Sequence, residues 1–244
     1  MIPRFILKKN MSLPNYKIPL FDIDGTLVHS NTTSNVHDEA FDFALRTIYN
    51  LPNASVKSHS LSGKIDSQIL MEISQIYGAS ENQAKEKVQD AMTTTLDYFM
   101  KHVKKEHYKV IPEVESLLKE LKSLGIPMGL LTGNIEEIGW EKIQLVGLSD
   151  YFTFGAFGSL ALKRVDLIPI AKERLEKILN IKVPVQNFII IGDTPLDIAC
   201  ARAGGIPVIA VATGKYQSRH LETADLVIQT LGEKDKIIEF LKLS

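Results

Sequence analysis

The feature that most constrains this chain is a set of short apolar runs, each ending in a turn of Gly, Asp or Thr. From Ile18 onward the runs are Ile18–Phe21, Ile126–Leu131, Asn187–Ile191, Pro207–Val211 and Leu226–Ile228. They are apolar at consecutive positions, so as strands they are buried on both faces, as in a parallel sheet covered by helices. The segments between them carry helical periodicity. In Pro112–Leu124, Pro112 suits a first helical turn, Val114, Leu117, Leu118 and Leu121 make the stripe, and Gly125 is the stop. Ile135–Val146 and Leu167–Leu179 read the same way. Strand and helix in alternation predict an α/β fold built on a doubly wound parallel sheet. Pro19 and Pro127 fall inside two proposed strands, where a missing N–H is unwelcome, and are expected to mark strand starts.

Residues 31–106 break this rhythm. Val36–Tyr49, Ile65–Tyr77 and Glu81–Val103 look helical, with no buried strand among them. In the last, Ala84, Val88, Met92, Leu96, Phe99 and Val103 trace a 3.6-period face. The expected organisation is a discontinuous α/β core, 1–30 and 107–244, with an all-helical block, 31–106, inserted after the first strand. Hydrophobic residues at 45% exclude a disordered chain. Lys+Arg number 28 against 29 Asp+Glu, which leaves no basic field for nucleic acid. The single cysteine, Cys200, excludes an internal disulfide and reads as a small buried residue. No apolar run reaches the ~18 residues of a membrane span. In Met1–Asn10 the charges Lys8 and Lys9 follow the apolar Phe5-Ile6-Leu7, the reverse of a secretory signal. A frayed leader is expected there, with Met11 as an alternative start, on a soluble cytoplasmic protein.

Three motifs carry chemistry. In Phe21-Asp22-Ile23-Asp24-Gly25-Thr26-Leu27, an apolar run delivers two carboxylates, spaced i and i+2, toward one side of a strand end. Such close like charges repel unless a cation or a shared proton relieves them. Phe188–Ile191 runs into Gly192-Asp193-Thr194-Pro195-Leu196-Asp197, where Pro195 at a first helical position puts Asp197 in the first turn. Leu130-Leu131-Thr132-Gly133-Asn134 brings a hydroxyl, a flexible glycine and an amide into a loop before a helix, the makings of a phosphate cradle. Ordinary turn and cap chemistry explains each motif alone. Together they lie at carboxyl ends of strands in one parallel sheet, the edge where such sheets bind ligands. Asp22, Asp24, Asp193 and Asp197 gathered there imply a divalent cation, and all-oxygen donors without His/Cys spacing favour Mg²⁺ over zinc. None of the six histidines forms a metal-binding pair, so solvated or structural roles are expected for all, although His29 lies close behind the first motif.

Asp22-Ile23-Asp24-Gly25-Thr26, Thr132-Gly133-Asn134, a basic residue and Gly192-Asp193-Thr194-Pro195-Leu196-Asp197, in that order, resemble the four motifs of the haloacid dehalogenase-like hydrolase superfamily. Leu61–Ile69 in the inserted block resembles caps of the phosphoglycolate phosphatase-like branch. The resemblance implies a Rossmann-like core with a helical cap, and a Mg²⁺-dependent phosphatase acting on a small phosphorylated metabolite. It implies Asp22 as the nucleophile, forming an aspartyl-phosphate, and Asp24 as the acid that protonates the leaving alkoxide and then activates water. Thr132, Gly133 and Asn134 would hold phosphoryl oxygens. Asp22, Asp193 and the Asp24 backbone carbonyl would ligate Mg²⁺, supported by Asp197 and Thr194. The basic slot departs from the usual Lys-Pro: Lys163 and Arg164 both qualify, and spacing to Leu167 and Ala171 favours Arg164. Arg46, Lys64 and Asp66 are substrate contacts in the cap by analogy. Thr213-Gly214-Lys215-Tyr216 resembles a loop of the branch, though a plain turn explains it as well. The acid at Asp24 argues against dehalogenation, which has no alkoxide to protonate. A β-phosphoglucomutase-like phosphosugar mutase on the same core, or a non-catalytic ligand-binding relative, are the alternatives.

Overall fold

The computed structural model describes residues 16–30 and 35–242. The leader with Met1 and Met11, and the expected start of the insert at 31, lie outside the described residues. In chain order the elements are β1 (Ile18–Phe21), β2 (Val28–Ser30), α1 (Val36–Ile48), α2 (Asp66–Ile76), α3 (Glu81–His102), β3 (Tyr108–Val110), α4 (Val114–Ser123) and β4 (Gly129–Thr132). Then come α5 (Glu136–Leu145), β5 (Phe154–Phe157), α6 (Leu167–Leu179), β6 (Phe188–Gly192), α7 (Pro195–Gly204), β7 (Val208–Val211), β8 (Leu226–Ile228) and α8 (Lys234–Leu241).

Six strands make one parallel sheet in the order β5-β4-β1-β6-β7-β8. Consecutive apolar positions feed two cores. Ile189 and Ile191 of β6 pack into one, with α4, α5 and α8, while Phe188 and Ile190 pack into the other, with α6 and α7. This two-sided burial is why the runs do not alternate. The chain builds β4 and β5 outward on one side of β1, then crosses to lay down β6, β7 and β8 on the other. That reversal at β1 is the switch point, and it makes neighbours of the three strands whose ends carry the motifs.

The chain leaves for the insert, and returns from it, through an antiparallel ribbon pairing Val28 with Val110 and Ser30 with Tyr108. Within the insert α1, α2 and α3 pack on one another. α3 starts at a capping box: Ser80 Oγ accepts from the Gln83 N–H, and Gln83 Oε1 accepts from the Ser80 N–H. Its buried face is Ala84, Ala91, Met92, Thr95 and Phe99, with Val88, Leu96 and Val103 only partly covered. No helix among the described residues is long and apolar enough to cross a membrane.

Some local expectations are corrected. β5 has no counterpart among the expected strands because Gly155 dilutes its apolar signal, yet all four of its residues are buried. The run at Ile126–Leu131 yields only Gly129–Thr132 as strand, so Pro127 lies ahead of β4. Pro19 lies inside β1, paired in register with Ile189 of β6, and β4 joins β1 only from Leu20 onward. Pro112 is not in the first turn of α4, because Glu113, in the left-handed region at φ 67°, stands between it and Val114. In the insert, Ile65, Tyr77 and Val103 are caps of the helices they were expected to belong to.

Candidate active site

Asp22 follows β1 directly, its N–H donating to the Ile191 carbonyl of β6 at 2.9 Å. Asp22, Asp193 and Asp197 are buried, and each presents a carboxylate oxygen within 4.8 Å of the others. The last two come from the β6–α7 turn. There Thr194 is the N-cap, its Oγ accepting from the Asp197 N–H at 3.2 Å. Asp197 Oδ2 in turn accepts from Thr194 N–H (3.0 Å) and Oγ–H (2.7 Å). Among the described residues one cation pairs with this group. Arg164 Nη2 donates to Asp22 Oδ1 at 2.7 Å and to Asp197 Oδ1 at 2.5 Å, while Nη1 donates to the Gly63 carbonyl of the insert at 2.9 Å. Gly25, at φ +90°, brings the first motif's turn onto Asp193, where a Cβ would stand 2.4 Å from Oδ2.

The charges explain what this cluster needs. Burial pushes the Asp22 carboxyl up to about 7, against the pull of Arg164 and with added repulsion from Asp197 and Asp24. Asp193 is raised too, by burial and by the charges of Asp22 and Asp197. Asp193 accepts from Thr26 Oγ at 3.1 Å, whereas both oxygens of Asp197 are engaged by Arg164 and Thr194. All-oxygen donors and uncompensated negative charge fit a divalent cation between Asp22 and Asp193, with Asp197 as support.

Asp24, two residues on, has different surroundings. Lys142 Nζ from α5 lies 2.7 and 2.9 Å from its two oxygens, and Asn134 Nδ2 donates to it at 2.8 Å. Desolvation disfavours its charge, but Lys142, with help from His37 and Asn134, holds the carboxyl below its ordinary value. Asn134 also donates to Thr132 Oγ at 2.6 Å and accepts from Lys142 at 2.6 Å, so its amide braces Asp24 and does not stand free for phosphate. Gly133 also lines the cavity, and its lack of a side chain has a packing reason. Its Cβ would stand 2.0 Å from the Lys64 carbonyl, and its own carbonyl accepts from the Asp66 N–H at 2.9 Å, so it lets the insert seat on the core. A cavity of about 650 Å³ opens over both groups, with Asp22, Asp24, Thr132, Arg164 and Asp193 in its lining. Lys57, Lys64, Lys109 and Lys215 also line it.

Residues 19–211 match the family model of haloacid dehalogenase-like hydrolases. The chain belongs to this family. It is 28% identical over 207 residues to the phosphoglycolate phosphatase of Neisseria meningitidis, covering 84% of each chain. It is 25% identical over 233 residues to a Clostridium perfringens protein provisionally named as the pyrophosphatase PpaX, covering 93% of this chain and 96% of that one. Among solved structures it resembles a predicted phosphatase from Clostridium acetobutylicum, at a TM-score of 0.65 and 25% identity over 93% of this chain and all of the other.

Within this haloacid dehalogenase-like frame, the remaining candidates divide by place. Arg164 lines the cavity and contacts Asp22, while its neighbour Lys163 is exposed and lies outside the lining. Arg46 is a correction: it is exposed on α1, paired with Asp42 at 3.3 Å and with the Ala54 carbonyl, and does not line the cavity. Lys64 lines the cavity with its ammonium paired to Glu72. Asp66 lines it too, but its carboxylate accepts from the Ile135 N–H at 2.8 Å, which ties the insert to the core. The Thr213–Tyr216 loop is more than a plain turn, since Thr213 Oγ donates to the Gly25 carbonyl at 2.7 Å and Lys215 faces the cavity. Sequence reasoning missed Lys142 and His37. A signal existed for both. Lys142 continues the 3–4 spacing of Ile135, Ile138 and Gly139, and His37 falls in the stripe of Val36, Ala40, Phe41 and Ala44.

Proposed function

We propose that the protein is a Mg²⁺-dependent phosphatase that hydrolyses a small phosphorylated metabolite through an aspartyl-phosphate on Asp22, with residues 31–106 as its cap. The observation that carries this reading is the buried, under-neutralised Asp22–Asp193–Asp197 group beside a separately braced Asp24 on one cavity. The phosphoglycolate phosphatase relative supports it. Asp22 attacks phosphorus, the phosphorus–oxygen bond to the leaving alkoxide breaks, and Asp24 gives that alkoxide its proton. A water then passes a proton to Asp24 and attacks phosphorus, which releases phosphate and frees Asp22. Asp24 is held ionised beside Lys142, and the approach of an anionic phosphate raises its affinity for the proton it must donate. Asp22, Asp193 and the Asp24 backbone carbonyl would hold Mg²⁺, which supplies charge neutralisation between carboxylate and phosphate. Thr132 and Arg164 orient the phosphoryl group, and Arg164 keeps a buried Nε donor without a protein partner. The lysines of the wall favour an anionic substrate.

The test is phosphate release from a panel of phosphorylated metabolites with Mg²⁺, with and without chelator, ranked by kcat/KM. Phosphoglycolate is expected among the good substrates, and pyrophosphate belongs in the panel because of the Clostridium perfringens relative. Released inorganic phosphate separates hydrolysis from mutase chemistry, which returns a phosphorylated isomer. A folded protein that releases phosphate from no member of the panel overturns the reading.

A further inference from the structure

The ribbon of β2 and β3 is fastened to the turn that carries Asp24. Asp24 forms a bridge with Val28, and the Gly25 N–H donates to the Val28 carbonyl at 2.8 Å. Each strand of the ribbon has three residues, so alternation divides its faces simply. Val28 and Tyr108, on one face, send their side chains into the core. The middle pair, His29 opposite Lys109, falls on the other face, and both residues line the cavity. Directly opposed residues hold their Cβ atoms about 5 Å apart, so an imidazole and an ammonium placed this way can converge on one group. Burial and the Lys109 charge both push the pKa of His29 down. An anion between the two relieves the repulsion that like charges opposite each other create on a ribbon.

The cations of the cavity wall divide by partner. Arg164 pairs with Asp22 and Asp197, Lys142 with Asp24, and Lys64 with Glu72. Among the described residues no carboxylate pairs with Lys57, Lys109 or Lys215, which line the same cavity. Lys57 comes from the insert. Lys215 follows Gly214, where a Cβ would collide with Asp193, so it belongs to the side of Asp22. Lys109, with His29, is the unpaired positive group on the ribbon fastened beside Asp24.

In the proposed reaction Asp24 protonates the leaving oxygen, so the alcohol portion of the substrate leads away from phosphorus on this side. The cavity, about 650 Å³, is of the size that encloses ligands much larger than a two-carbon ester. We propose that the substrate is a phosphate ester of a longer alcohol that carries a second phosphate group, and that Lys109 and His29 bind this second group. The proposal rests on the phosphatase reading and narrows its substrate class. A phosphate near neutral pH carries up to two negative charges and three acceptor oxygens, against one charge on a carboxylate. It therefore answers more of the unpaired positive charge, and it accepts from the ammonium and the imidazole at once.

The test uses linear alkyl phosphates of increasing chain length whose far end is a hydroxyl, a carboxylate or a second phosphate. At the best length, wild-type kcat/KM is expected to be at least about 10-fold higher for the bisphosphate than for the hydroxyl-ended ester, with the carboxylate between them. Lys109→Met is expected to lower the bisphosphate/hydroxyl ratio by about 10-fold, chiefly through KM of the bisphosphate, and Lys109→Arg to keep most of it. His29→Ala should lower the ratio by about 3-fold, as the weaker donor of the pair. Lys163→Ala, outside the cavity, should leave it unmoved. A wild-type preference no larger than the about 2-fold that two identical ends supply overturns the proposal, as does a carboxylate preferred over the phosphate at every length. An unmoved ratio in Lys109→Met overturns it too, and since Lys109 is exposed its replacement leaves the fold intact. Wild-type protein inactive on all three series and on the metabolite panel fails the phosphatase reading itself, a result distinct from an active enzyme without the preference.

Discussion

Asp22 and Asp24 leave the same strand two residues apart, yet they sit in opposite electrostatic settings. Asp22 shares buried space with Asp193 and Asp197, and one arginine serves Asp22 and Asp197. Asp24 has a lysine on both its oxygens and an amide beside it. Burial raises the first carboxyl to about 7, and Lys142 lowers the second. The difference teaches how one strand end can host two carboxylates with separate tasks. The side of Asp22 is left short of positive charge, while the side of Asp24 carries its own cation.

The sharpest way to break this comparison is Asp22→Asn. Activity should fall by about 10⁴-fold or more in a phosphate-release assay, since no other carboxylate stands in its place. The fold should survive, with Tm lowered by no more than a few degrees, because the substitution removes a repelling charge. Substantial remaining turnover would take the nucleophile's role away from Asp22.

Metal removal comes next. Chelation should cost at least ~10²-fold in turnover, recovered by Mg²⁺, because neutralisation by a metal contributes several kcal/mol. The same cluster sets a pH signature in the metal-free protein. With Asp22 raised to about 7 when folded and near its ordinary value when unfolded, the folded state binds the extra proton between these values. Stability should therefore fall as pH rises from about 4 through 7, and Mg²⁺ should raise Tm more at pH 8 than at pH 5. A Tm series that is flat with pH, with and without metal, would remove the excess-charge side of the contrast.

Arg164→Lys should lower kcat/KM by roughly 10–100-fold, because lysine lacks the second nitrogen with which Arg164 reaches the Gly63 carbonyl while Nη2 holds Asp22 and Asp197. Lys163→Ala beside it should stay within about 2-fold, since removing an exposed charge outside the site has little effect. Equal losses in the two variants would blur the assignment of the basic slot. The smallest effect is expected from Arg46→Ala, at about 1 kcal/mol or less in denaturant unfolding, with kcat/KM unchanged, since Arg46 is half exposed and the buried Asp42 keeps its bonds from Ser55 Oγ and the Val56 N–H.

Much of the fold was legible because two-sided burial writes unbroken apolar runs, and because the insert's helices carry strong periodicity. β5 was not, since a glycine in a four-residue strand erases the only signal so short an element has. The acids were legible from strand-end alternation and helix-start chemistry, both local. The burial of Lys142 is not legible, because a lysine on a helix is ordinarily solvated and only its place on the apolar stripe hints otherwise. Asn134 was read as a phosphate contact because a loop amide before a helix suits one. Besides Thr132 close by, its partners are Asp24 and Lys142, 110 and 8 residues away, and no local rule connects those.

The sequence by itself determined the parallel α/β core, the helical insert and the positions of Asp22, Asp24, Asp193 and Asp197. Those follow from periodicity and from which residues end a strand, and both are properties of neighbouring positions. Only the tertiary structure decided which cation serves which carboxylate, that Arg164 enters the site and Lys163 does not, and that Lys142 and Asn134 brace Asp24. Those outcomes depend on distances between groups up to 142 residues apart, as Arg164 and Asp22 are. Charges so placed interact strongly only because packing removes the water between them.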